Sequence, residues 1–191
     1  MKLKFVFAGL AAAAAIAVLP AQAAAPVTDT KSVFLFSDNS VVGTSTLMRF
    51  PKAVQMTLQT TGLPANHIVT VWWVIFNHPE FCTHGGEVPR CQGDNFGDSR
   101  VEASAVHAAG QVIGATGDGR YGAYLPVGST QEQILFGPGL TNPLGADIHL
   151  IVHDHDSLSA LQSGSTIGRE INSIGTVPGA DLQASVHEAQ P

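Results

Sequence analysis

The hydrophobic pattern of the chain is dominated by residues 68–78, IVTVWWVIFNH. Two tryptophans, a phenylalanine and β-branched aliphatics follow one another there with little polar relief before Pro79. A run of that length and composition predicts a strand buried on both faces and central in its sheet. Residues 53–60, AVQMTLQT, alternate cleanly, with Val54, Met56 and Leu58 on one side and Gln55, Thr57 and Gln59 on the other. A period of two predicts a half-buried antiparallel strand, and the turn at Gly62, Leu63 and Pro64 predicts that it neighbours the tryptophan strand.

Shorter β runs are predicted over residues 31–37, 43–50, 100–107, 111–116, 120–127, 133–136, 147–154 and 182–188. The Asp118-Gly119 pair predicts a hairpin joining the runs on either side of it. In the closing run Leu182, Ala184 and Val186 are expected to face inward. Residues 24–30 read as a lead-in and residues 157–180 as loop with one short strand at most. About eight short strands without an amphipathic helix predict an all-β, antiparallel two-sheet β-sandwich. A sandwich is preferred to a closed barrel because the tryptophan strand needs cover on both faces.

The amino terminus changes the compartment. Lys2 and Lys4, an apolar stretch over residues 5–19 and the small-residue site Ala21-Gln22-Ala23 form a signal peptide pattern over residues 1–23. Residues 24–191 then form a single domain of 168 residues, exported to the periplasm or beyond the cell, with no transmembrane segment expected. Loss of Lys2 and Lys4 leaves seven basic against fifteen acidic side chains, a net charge of −8 with histidines neutral. Such a surface argues against nucleic acid as a partner and leaves a cell-envelope or extracellular partner open. The two cysteines, Cys82 and Cys91, bracket a segment with Gly85, Gly86 and Pro89, so a disulfide-closed loop is expected in that compartment. Paired metal-ligating thiolates are the alternative.

Candidate chemistry centres on residues 149–156, HLIVHDHD. In a strand His149, Ile151, His153 and His155 share the face opposite Ile148, Leu150 and Val152. Residues two apart lie roughly 6.6 to 7 Å from each other, so His153 and His155 can reach one copper or zinc ion as neutral imidazoles. His149 stands about 13 Å from His153, out of reach of that ion. A third ligand would come from His187, placed on the polar face of the last strand, or from His78 or His84. Asp154 and Asp156 would orient the rings as hydrogen-bond acceptors. The loop over residues 78–98 gathers further acids, Glu80, Glu87, Asp94 and Asp98, on a braced frame. Trp72 and Trp73 point to opposite faces, so one is core and the other can meet a ligand if it reaches a cleft. Serine-elbow, phosphate-loop, dinucleotide and zinc-helix motifs are absent from the sequence.

The succession STLMRF, VQMTLQTTGLPANHIVTVWWVIFNHPEFC, ILFGPGLTNPLGADIHLIVHDH and LQASVH resembles a family of exported bacterial proteins. These carry a TVWWVVFN-type strand and a GPGLTDP-type turn. The resemblance covers nearly all of residues 24–191, implies export and a β-rich fold, and carries over no catalytic residue. The GLPANHIVTVWW segment is also similar, over a shorter stretch, to chordin-type domains, which implies a binding or structural role. The leading expectation is therefore a non-enzymatic exported binding or structural protein. A histidine-based copper or zinc protein is the alternative, and a hydrolase or lyase working from the Cys82–Cys91 loop comes third.

Overall fold

Tryptophan-strand residues pair on both sides, as their unbroken apolar run requires, but their strand lies third from one edge of the sheet and not at its centre. The computed structural model describes residues 25–84, 89–129, 131–161, 164–175 and 179–189. The expected signal peptide, residues 1–23, lies outside the described residues, as do Gly85, Gly86 and Glu87 of the cysteine loop. The strands are β1 (Val27–Leu35), β2 (Val41–Phe50), β3 (Ala53–Thr60), β4 (His67–Phe76), β5 (Ala103–Val112), β6 (Gly119–Pro126), β7 (Ile134–Phe136), β8 (Asp147–Ser157) and β9 (Ala180–His187). One α-helix, α1 (Gly164–Asn172), lies between the last two.

The all-β expectation holds, but the two-sheet sandwich of about eight strands is corrected. Nine strands hydrogen-bond side by side in one sheet, in the order β6-β3-β2-β1-β9-β8-β4-β5-β7, and each pairing is antiparallel. The sheet curls into a half-barrel, so that β2, β3 and β6 face β4, β5 and β8 across a single core. Leu47, Met56, Leu58, Val71, Trp73 and Leu150 meet in that core. Curling lets one sheet bury its inner face against itself, which separate sheets would otherwise do.

Two expected neighbours are separated. β3 pairs with β2 and β6, and β4 with β8 and β5, so the turn after β3 carries the chain across the core instead of making a hairpin. Likewise β6 joins β3 and not β5, despite the Asp118-Gly119 signal. The runs over residues 100–107 and 111–116 are one continuous strand through residue 112, and β1 begins four residues before the predicted run.

Two corrections bear on the outer face. Residues 164–172, expected as loop, form α1, which the low helix propensity of its glycines and β-branched residues conceals. The helix seats on Gly110 of β5, where a Cβ would stand 2.6 Å from the carbonyl oxygen of Ile171. In β9 Leu182 packs against the core as expected, but beyond it the inward set is Gln183, Ser185 and His187, not Ala184 and Val186. Gln183 lies opposite Val152, Ser185 opposite Leu150 and His187 opposite Ile148. The inner face there carries Ser45, Arg49 and Thr60, so polar residues of β9 find partners inside.

Candidate functional site

The outer face of β5, β4, β8 and β9 forms the floor of a groove of about 740 Å³. Cross-strand register builds this floor in rungs. Ala105, Val74, His149 and Val186 follow one another across the four strands, and Trp72 with Ile151 forms the next rung. His153 and Asp181 form a third. The walls come from elsewhere in the chain: Phe96 and Cys91 of the cysteine loop, Leu135 and Phe136 of β7, Phe36 after β1, and Ile174 after α1. Phe96 is held against the sheet by stacking on Phe76, with ring centroids 5.6 Å apart, and it meets Phe136 at 5.2 Å.

The cysteine loop is pinned where β8 begins. Cys82 and Cys91 form the expected disulfide. Arg90 donates to both carboxylate oxygens of the fully buried Asp147 at 2.7 Å, and Asp147 also accepts from the backbone N–H of Ala189. The loop thus walls one end of the groove, and His153 and His155 lie at the other, about 20 Å or more along β8. Both regions share one face but not one ion-sized site.

The alternation expected in β8 is correct, with Ile148, Leu150 and Val152 in the core and His149, Ile151, His153 and His155 lining the groove. His149 and His155 are buried and His153 is half-buried. His155 is 3 % exposed, its Nε2 is 2.9 Å from the Thr70 hydroxyl and its Nδ1 is 3.3 Å from the carboxylate of Glu170, itself fully buried. A Cβ at residue 175 would fall on that carboxylate, which accounts for Gly175. Trp72 Nε1 donates to the same Thr70 hydroxyl at 2.9 Å. His153 Nδ1 is 2.6 Å from Asp181 Oδ1. His149 is 7 % exposed and its Nε2 has no hydrogen-bond partner among the described residues. Burial pushes its pKa down to about 4, so the ring is neutral at ordinary pH.

The five histidines proposed as metal ligands are not brought together. His153 and His155 are neighbours, with ring centroids 4.8 Å apart. His78 lies at the end of β4 beside Glu80, at 3.2 Å, and Glu102, at 3.7 Å. His84 bonds Asp94 at 2.8 Å. His187 is on the opposite, inner face, fully buried. Asp154 and Asp156 do not orient the ligand rings: Asp154 pairs with His67 at 2.9 Å, and Asp156 accepts from the backbone of Ser157. Among the described residues no group of three or more His, Cys, Asp or Glu is arranged to hold a metal ion. With both nitrogens of His155 engaged, these residues do not fit copper or zinc.

Sequence reasoning missed Asp181, Glu170 and Thr70, the actual partners of the β8 histidines. It also missed a Ser–His–Asp array on the inner face. Ser45 Oγ is 2.7 Å from His187 Nε2, and His187 Nδ1 is 3.1 Å from Asp29 Oδ2, with Ser185 closing the cluster. A hydrolase needs the serine facing substrate. Here Ser45 is 1 % exposed and Asp29 is the more open end, so the array bonds β1, β2 and β9 together instead. Burial lowers the pKa of His187 to about 4.

The carboxylates of the cysteine loop are also committed, Asp98 to Arg100 and Asp94 to His84. The two motifs that carry the family resemblance are joined directly. Asn77 donates to the carbonyls of Glu102 and Gly139 and accepts from the N–H groups of Thr141 and Asn142. Among the described residues no helix is long and apolar enough to cross a membrane. Comparison with family models, curated proteins and solved structures finds no match to this chain.

Proposed function

We propose that the chain is a non-enzymatic binding protein, exported to the cell envelope or beyond, that holds an apolar small molecule in the outer-face groove. The observation that carries this reading is the groove itself, about 740 Å³ and walled by Trp72, Phe36, Phe96, Phe136, Leu135 and Ile151. That volume and an apolar lining with a few polar groups are the usual features of a small-molecule site. Among the described residues the lining includes no serine, threonine or lysine, and Cys91 is tied in a disulfide, so the hydroxyl, amine and free-thiol nucleophiles of covalent catalysis are missing from it. The signal peptide pattern and the resemblance to exported proteins support export.

Titration of the protein lacking residues 1–23 with N-phenyl-1-naphthylamine tests the reading, monitored by probe fluorescence and by quenching of the tryptophans. Saturable binding of one probe per chain is expected, abolished by Ile151→Trp, which fills the groove floor without touching the inner core. Absence of saturable binding, or equal binding by the variant, would overturn it.

A further inference from the structure

The groove is unevenly charged along its length. Apart from its three histidines, the one ionisable side chain among the described residues lining it is Asp181, and neither lysine nor arginine reaches it. Asp181 is 56 % exposed, so it keeps contact with solvent while facing the groove. One of its oxygens is engaged by His153, and a carboxylate accepts several hydrogen bonds at once. His149, midway along the floor, is neutral and adds no positive charge. At the opposite end the positive charge of Arg90 is taken up by Asp147. An anionic headgroup would thus lie in an apolar groove beside the Asp181 carboxylate, with no lysine or arginine among the described lining residues to meet it, at a desolvation cost. A cationic headgroup would find a carboxylate at one end.

Resting on the binding reading above, we propose that the ligand is a cationic amphiphile, an alkyl or aryl chain bearing one amine. The ammonium sits against Asp181 at the His153 end and the apolar body runs toward Phe96 and Phe136. The polarity of the groove fixes the direction in which the molecule lies, and the acidic surface of the protein draws such a cation toward it.

Displacement of bound N-phenyl-1-naphthylamine by decylamine, decanol and decanoate, each below its aggregation concentration, tests this on three molecules that differ in headgroup alone. Decylamine is expected to bind about fivefold more tightly than decanol and at least about tenfold more tightly than decanoate. In Asp181→Asn, whose fold is checked by its melting curve, the amine should lose about fivefold while decanol is unchanged. The amine preference should also shrink as salt is raised. In His153→Gln, which leaves the carboxylate in place, the preference for amine should persist. Equal affinity of decylamine and decanol, or a preference that survives Asp181→Asn, would overturn the proposal while leaving the groove reading intact. Failure of all three to displace the probe would instead overturn the groove reading.

Discussion

Arg90 holds Asp147 with two parallel hydrogen bonds of 2.7 Å, and this pair fastens the cysteine loop to the first residue of β8. The carboxylate is fully buried and the guanidinium partly so, which makes the pair directional as well as electrostatic. Arg90→Ala leaves Asp147 buried with one backbone donor, at a cost of about 3 kcal/mol. Arg90→Lys keeps the charge but loses the fork, so an intermediate loss is expected. Urea unfolding of both variants checks the order, and equal stability of wild type and Arg90→Ala would show that the pair does not anchor the loop.

The disulfide closes a short loop, with a sequence separation of 9 between its cysteines. Loop-closure entropy for that length corresponds to about 2 to 3 kcal/mol. Because Cys91 and Phe96 both wall the groove, reduction should lower the melting temperature and weaken probe binding together. Thermal scans and titrations with and without reductant measure the two effects, and unchanged binding in the reduced protein would separate the loop from the groove.

Stability should fall on acidification through the histidine range. Burial lowers His107, His149 and His187 each to about 4, against an ordinary value of 6.5. The unfolded chain then binds more protons than the folded one between those limits. The stabilisation is complete above about pH 6.5 and is lost as pH falls toward 4, by at most about 3 kcal/mol for each ring. Urea midpoints from pH 7.5 to 4 read this slope, and a flat profile would contradict the burial of these rings. His149→Phe, which keeps a ring beside Phe76, should make the slope shallower.

Asn77 is fully buried and satisfied by two acceptors, the carbonyls of Glu102 just before β5 and of Gly139, and by two donors, the N–H groups of Thr141 and Asn142 in the GPGLTNP turn. Asn77→Asp keeps the shape but removes both donated bonds and buries a charge, so a loss of about 3 kcal/mol or more is expected. Asn77→Ser should be nearly as costly, since it is too short to reach both sides. Hydrogen exchange at the Thr141 and Asn142 amides reports the turn directly; protection retained in Asn77→Asp would show that the turn holds itself.

Alternating positions in β3 and β8 are legible because the pleat sends neighbouring side chains to opposite faces whatever the sheet around them. The placement of Trp73 in the core and Trp72 outside follows from the same rule once one face is buried. The disulfide is legible because the two cysteines bracket a turn-rich segment that can double back on itself. Strand order is not legible, because local turn chemistry at Gly62 and Asp118 says that the chain reverses but not which strand receives it.

The same limit hid the site. An all-β chain, a tryptophan strand interior to its sheet and a histidine-bearing face on β8 are legible in the sequence alone. Tertiary structure alone decided that this face is the floor of a groove. The partners of its histidines, Asp181 on β9, Glu170 on α1 and Thr70 on β4, arrive from three separate elements through cross-strand register and helix docking. Register also sent His187 inward, away from the histidines of β8, because Ser45 and Asp29 wait on the inner face to bond it. Periodicity states which residues share a face, whereas the long-range pairing of strands states what that face meets, and chemistry depends on the second.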